Sequence, residues 1–362
     1  MDIGERITSA TRDRLPVARV GNLDKARRVC VYGFGGKGRE LAGRLRSLGL
    51  EVVVRDGSEA AVAAALEEGY EVADPTSVDP GMPVILGAGQ KQVEQRDMVG
   101  ENYVYYQEAC HVFDLPCLYD RCRDFSTFVI ENVGELGSVL ELLDAESAQV
   151  FAALLEYRVS LQPESLAGLN PPDSSMWFDV PREHGSRPYR TFLDVGAFDG
   201  DTLIAASEWL GVDRAIAVEA NPELVPRLAA AGERLARGVA IEPSAAWSHE
   251  TALSFEEVRG GMITVREASN GGLAADAIDN YVHEPVDLAK MDIEGAESRA
   301  LAGARRVLSE GADWAVAAYH RPEDLLSLPT IMRDGLTGEY RLMFRHYSEV
   351  FDDSIFYFLR TM

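Results

Sequence analysis

The chain has 362 residues, 46% hydrophobic and 26% charged, an ordinary globular composition with room for about two domains of roughly 150 residues. A formal net charge of −24 argues against nucleic acid or an anionic membrane as partner. No apolar run approaches the roughly 18 residues of a membrane span, and Met1-Asp2-Ile3-Gly4-Glu5 is not a signal peptide, so a cytoplasmic protein is expected. The oligomeric state is left open.

Residues 1–24 form an N-terminal segment of mixed charge without a clear pattern. Residues 25–120 read as a Rossmann-like domain. Arg28 to Tyr32 is a strand, Gly33-Phe34-Gly35-Gly36-Lys37-Gly38 a G-x-G-x-x-G turn, Glu40 to Leu48 an amphipathic helix and Glu51 to Arg55 a second strand. Asp56 follows that strand, 23 residues after Gly33. Ala60 to Glu68 continues as helix and Pro83 to Leu86 as strand. Gly33, Gly35, Gly38 and Asp56 are thus candidate contacts of a nucleotide, with Lys37 and the helix N-terminus suited to a phosphate. Three readings stay open: a catalytic NAD site, a non-catalytic nucleotide site, or a scaffold, since this fold is widely used without one function.

Cys30 lies in an apolar strand and reads as core; Cys110, Cys117 and Cys122 contain no C-x-x-C pair, so no zinc site is expected beside His111. Residues 121–185 turn helical. Glu146 to Ser160 places Val150, Ala153, Leu154 and Tyr157 on one face, as a connector packing on both domains would. Pro171-Pro172-Asp173 breaks helix, and Met176-Trp177-Phe178 is either a lid over a pocket or a hydrophobic staple.

Residues 186–362 are a second α/β domain. Thr191 to Val195 is an apolar strand, Gly196 and Gly200 allow a sharp turn, Thr202 to Leu210 is helical, and Ala215 to Val218 is a strand closed by Glu219. An acid in that place accepts hydrogen bonds from ribose hydroxyls. Asp194 and Asp201, at the two ends of the turn, would repel a pyrophosphate and attract a sulfonium or an α-amino group, which favours S-adenosyl-L-methionine over NAD. Asn221-Pro222 starts a helix, Gly238 to Ile241 is a strand, and Ser244, Ala245 and Ala246 are small residues fit to border an adenine. Leu253 to Val258 and Met262 to Val265 read as a hairpin around Arg259-Gly260-Gly261. Val286 to Met291 is a strand ending in Asp292-Ile293-Glu294-Gly295-Ala296-Glu297, followed by one helix with Leu301, Ala304, Val307 and Leu308 on its inner face. Trp314 to Ala318 is a strand that delivers Tyr319-His320. Asp194, Glu219, Asp292 and His320 therefore converge at the carboxyl ends of successive strands, where α/β sheets bind ligands.

The segments Leu193 to Asp201, Lys290 to Glu297, Tyr319 to Leu325 and Arg345 to Ser348 resemble, in order, the recurrent segments of FkbM-type methyltransferases. The likeness covers about residues 190–362, and the connector is similar to that of members with a Rossmann-like first domain. It implies an α/β protein of two Rossmann-like domains. The C-terminal one would be a class I methyltransferase fold, a seven-stranded mostly parallel sheet whose antiparallel last strand is Ser354 to Leu359. It also implies that Asp194, Gly196, Ala197, Gly200, Asp201, Glu219, Asn221 and Ala246 border the donor. Phe198 departs from the D-x-G-x-G-x-G of distant relatives at the middle glycine.

Methylation of a sugar or natural-product hydroxyl needs a base. His320 is the first candidate, because an unperturbed imidazole titrates near neutrality, and Asp292 the second. Asp292 with Glu294 offers a Mg²⁺ alternative, although no further ligand set is evident. Glu297 reads as helix-surface pairing; loop hydrogen bonding is the plain reading of His346, which is left open. The competing functions are an NAD-dependent oxidoreductase using the first domain and a non-catalytic nucleotide-binding protein.

Overall fold

Glycine-bounded apolar runs become the central strands of two open sheets. The computed structural model describes residues 3–13, 23–74, 81–87, 92–99, 102–115, 118–169, 171, 175–258 and 262–361. The first sheet holds β1 (Arg28–Tyr32), β2 (Glu51–Arg55), β3 (Glu71–Val72), β4 (Val84–Leu86) and β5 (Tyr103–Tyr105) in the order β3-β2-β1-β4-β5. All its pairings are parallel. Val29 and Val31 face one core and Cys30 the other, so β1 is apolar on both sides, as a helix-covered parallel strand must be. The helix Gly36–Ser47 buries Leu41, Ala42 and Leu45 against that sheet.

Between the sheets stand the helices Tyr106–Val112, Leu118–Glu131, Val133–Leu140 and Ala145–Ser160. The last is buried almost all round rather than along one stripe. Phe151, Ala152 and Leu155 join the expected Val150, Ala153, Leu154 and Tyr157, because the helix runs between the second sheet and the helices Ile3–Asp13 and Leu118–Glu131. Its start is capped by Asp144, which accepts from the Ser147 amide at 2.8 Å. Gln107 donates to the Tyr157 hydroxyl at 2.9 Å, tying the first sheet's helices to it. Pro172 and Asp173, Cys117 and the side chains of His111 and Cys122 lie outside the described residues.

The second sheet contains β6 (Thr191–Val195), β7 (Arg214–Val218) and β8 (Val239–Glu242). Next come β9 (Ala245–Trp247), β10 (Thr251–Val258), β11 (Met262–Glu267) and β12 (Leu273–Ala277), which form a sheet of their own. β13 (Leu288–Met291), β14 (Asp313–Ala317), β15 (Tyr340–His346) and β16 (Ser354–Arg360) complete the main sheet. Its order is β15-β16-β14-β13-β6-β7-β8, and β16 alone runs antiparallel to its neighbours. This is the seven-stranded, mostly parallel arrangement of a class I methyltransferase. The smaller sheet, β11-β10-β12-β9, extends the expected hairpin by a parallel pairing of β12 with β9 and covers the carboxyl edge of the main one. The turn Arg259-Gly260-Gly261 lies outside the described residues.

One predicted helix is broken. Residues 297–309 form two short helices, Glu297–Ala302 and Arg305–Ser309, because Gly303 meets the Trp247 carbonyl so closely that a Cβ would collide with it. Among the described residues no helix is long and apolar enough to cross a membrane.

Candidate active site

Asp194 in β6 and Lys290 in β13 are register partners, so their side chains leave the sheet on the same face and meet at 3.1 Å. Lys290 also donates to the Gly196 carbonyl at 2.6 Å and lies 5.4 Å from the centre of the Trp177 ring. Burial, the largest single effect, would lower the lysine's pKa, but the charge and hydrogen bond of Asp194 together with the Asp292 and Asp201 charges outweigh it and hold the ammonium above the ordinary lysine range. Asp194 further accepts from the Thr202 hydroxyl. This buried pair fastens the glycine turn to the fourth parallel strand. Gly196 has φ +85° and would drive a Cβ into the Asp292 carbonyl, so the turn and the Asp292 segment touch backbone to backbone.

Glu219 stands beyond β7 with its carboxylate fixed from both sides. Oε2 accepts from the Phe198 amide at 2.9 Å and Oε1 from the Asn221 amide at 2.8 Å. Each oxygen keeps a lone pair for a further donor. Phe198 itself is held at φ +46° with 60% of its surface exposed. Trp177 and Glu294 are also in the left-handed region, at φ +77° and +59°. All three border one cavity, and such costly conformations gather where a ligand is handled.

That cavity measures about 400 Å³ and lies over the carboxyl ends of β6, β7 and β13, within the range of small-molecule sites. Its polar lining is Asp201, Glu219, Asp292 and Glu294. Its apolar lining is Met176, Trp177 and Phe198 from the main domain and Leu253, Phe255 and Val265 from the smaller sheet.

Behind Asp292 is a buried group that the local sequence pattern did not reveal. Glu297 opens its helix with no exposed surface, and its Oε1 lies 2.9 Å from His320 Nδ1 while also accepting from the Ile293 amide at 2.9 Å. The expected surface pairing of Glu297 is therefore replaced by a buried one. On the other side of the ring, His320 Nε2 is 3.5 Å from Asp292 Oδ1 and 3.6 Å from Glu294 Oε2. Tyr319 donates to Asp292 at 3.0 Å. Burial would lower the pKa of His320, but Glu297, then Asp292 and Glu294, outweigh it and push it up to about 9. Glu297 is correspondingly held below the usual carboxylate range despite its burial. His320 thus carries a proton at neutral pH and differs from the neutral imidazole expected of a ready base.

Of the sequence-predicted residues, Gly196, Asp201, Glu219, Ala246, Asp292 and Glu294 line the cavity. Asp194 is buried beneath it, paired with Lys290. Ala197 is buried, and its amide donates to Val218. Gly200, at φ +88° and capping the start of the helix Asp201–Leu210, packs against Ala231. Asn221 caps the turn after it, accepting from the Glu223 amide at 3.0 Å. These four shape the wall from behind. Lys290, Glu297 and Tyr319 are the members that residue patterns missed; a lysine inside an otherwise apolar strand was the one visible signal. His346 ends β15 rather than a loop, buried against Ser354 at 2.9 Å.

In the first sheet Asp56 repeats the Glu219 arrangement, accepting from the Phe34 amide at 2.6 Å and the Ser58 amide at 2.8 Å. Gly33 takes φ +96°. Gly38 packs so closely on the Gly33 carbonyl that no Cβ fits. Gly35 has open space around it and precedes the helix.

Compared with solved structures, the chain is similar along its whole length to a methyltransferase FkbM from Methylobacillus flagellatus KT, with 19% identity, a TM-score of 0.76, and coverage of 98% of this chain and 99% of that one. Its fold is that of this protein. An rRNA methylase from Streptococcus thermophilus matches 51% of this chain and 93% of its own, at 13% identity and a TM-score of 0.33. A precorrin-6y C5,15-methyltransferase from Geobacter metallireducens GS-15 matches 48% of this chain and 80% of its own, at 15% identity and a TM-score of 0.30. No protein-family model matches the sequence, and no curated protein matches it.

Proposed function

We propose that the chain is an S-adenosyl-L-methionine-dependent O-methyltransferase acting on a small-molecule or glycan hydroxyl. The observation that carries the reading is the Glu219 carboxylate, held by two backbone amides at the rim of a 400 Å³ cavity in a class I methyltransferase fold. The wall fits such a donor. Glu219 would accept from the ribose hydroxyls, Ala246 and its small neighbours would border the adenine, and Asp201 and the Gly196 turn would face the amino-acid end. Bound there, the donor supplies an electrophilic methyl group.

The residues of the chain then have to hold the acceptor and take its proton. Asp292 faces the cavity with its carboxylate oriented by Tyr319, and on this reading it would receive the proton that an attacking hydroxyl releases. His320 sits behind it as a charged, positioned group. The apolar lining of Met176, Trp177, Phe198 and Phe255 suits the carbon skeleton of an acceptor. The net charge of −24 disfavours a nucleic-acid acceptor. The first domain is read as non-catalytic, a scaffold or a nucleotide site, with Gly38 required by close packing on the Gly33 carbonyl.

The test is incubation of the purified chain with methyl-labelled donor and a panel of sugar and polyketide alcohols. Label transferred to a hydroxyl oxygen supports the reading. Label transferred to nitrogen or carbon, or none from a donor that does bind, argues against the O-methyl assignment.

A further inference from the structure

We propose that His320, Asp292 and Glu294 bind a divalent first-row transition-metal ion, which displaces the Nε2 proton of His320 into solvent, with Glu297 holding the imidazole from behind. Asp292, Glu297 and His320 each place one possible ligand atom within 4.8 Å of the others. The separations around Nε2 carry the inference further. At 3.5 and 3.6 Å, the Asp292 and Glu294 oxygens are too far for normal hydrogen bonds, which lie near 2.7–3.2 Å. Measured from Nε2, each is spaced as neighbouring ligands are when both lie about 2.1 Å from a shared ion, roughly 3.0–3.6 Å. Glu294, which is not among the three groups within 4.8 Å of one another, has to turn in to join.

The other side of the ring has the matching arrangement. Metal-binding histidines are oriented by a carboxylate on the second nitrogen, and Glu297 occupies that place at 2.9 Å. Glu297 has no exposed surface, and its Oε2 has no hydrogen-bond partner among the described residues. A buried carboxylate left half-satisfied needs positive charge nearby, held by the ring it touches. Asp292 and Glu294 both line the cavity, so an ion there keeps open positions toward it. Glu294, with its side chain 54% exposed, can rotate to close on the ion. One imidazole with carboxylates suits Mn²⁺, Fe²⁺ or Zn²⁺ better than Mg²⁺, which prefers an all-oxygen set. Lowering the pKa of an acceptor hydroxyl is the role such an ion would have, and that role rests on the methyl-transfer reading; the binding does not.

The experiment is titration of chelator-treated, full-length protein with MnCl₂, read by calorimetry and by the electron paramagnetic resonance of free Mn²⁺, and repeated with ZnCl₂. One ion per chain is expected. Glu297→Gln should weaken binding about 10–100-fold, and Asp292→Asn and His320→Ala at least about tenfold. Glu294→Gln, at an exposed position, should fold normally by circular dichroism and still bind more weakly. Absence of stoichiometric binding to the wild type, or wild-type affinity in Glu294→Gln and Glu297→Gln, would overturn the proposal and leave a proton as the sole partner of Nε2. No acceptor or donor is present in this titration, so its failure is separate from any failure of the methyl-transfer assay.

Discussion

His320 Nδ1 and Glu297 Oε1 lie 2.9 Å apart, joining the loop after β14 to the first residue of the helix after β13. Neither side chain has more than 5% of its surface exposed. The pair ties that loop to the segment after β13, which borders the cavity through Asp292, Ile293, Glu294 and Ala296, so its loss should be felt in the site as well as in stability. Removing one partner of a buried pair strands the other, at a cost of roughly 3–5 kcal/mol. Glu297→Ala should lower the free energy of unfolding by about that amount in urea titrations. A loss under about 1 kcal/mol would mean that the pair is not the buried contact described.

Asp292 is proposed to take the acceptor's proton. Asp292→Asn should therefore lower turnover by about 10²–10⁴ while changing donor affinity little, as expected for a positioned base. Single-turnover assays with saturating donor separate the two effects. Unchanged turnover would remove Asp292 from that role.

How much of this was legible depends on whether the signal was local. The strands β1, β2 and β6 begin and end where the residues predict, because strands buried on both faces are unbroken apolar runs stopped by a glycine. The acids beyond β2 and β7 were legible for the same reason. The His320–Glu297 pair was not, since 23 residues separate its partners and a glutamate opening a helix looks like a solvated end. Lys290 appeared in a recognisable segment, but its pairing with Asp194 is set by sheet register. The all-round burial of Ala145–Ser160 likewise depends on which helices pack beside it, and periodicity within one segment does not encode that.

The first domain offers a test of separability. In Gly38→Ala the new methyl group meets the Gly33 carbonyl, and overpacking of this kind typically costs 1–3 kcal/mol. The first domain should melt earlier, while S-adenosylhomocysteine binding to the remaining folded protein stays as in the wild type. A parallel loss of that affinity under native conditions would mean the first domain contributes to the donor site.

His346 makes stability depend on pH. Burial, together with the Arg158 charge, pushes its pKa down to about 3. In the unfolded chain it titrates near 6.5, so between these values the unfolded state holds a proton that the folded state lacks. Its contribution to stability is therefore full above about pH 6.5 and is lost as the pH falls toward 3, at about 1.4 kcal/mol per pH unit. His346→Asn, which keeps a partner for Ser354, should be less pH-dependent by that slope in chemical denaturation between about pH 4 and 6. Equal slopes in the two proteins would contradict the assignment.

The most direct measurement is calorimetric binding of S-adenosylhomocysteine to the wild type and to Glu219→Ala. Binding of one molecule per chain is expected, weakened in the variant by about 1–3 kcal/mol, or roughly 5–150-fold, as charge-assisted hydrogen bonds to the ribose are lost. No binding to the folded wild type, or the same affinity in Glu219→Ala, would contradict the donor site at its centre.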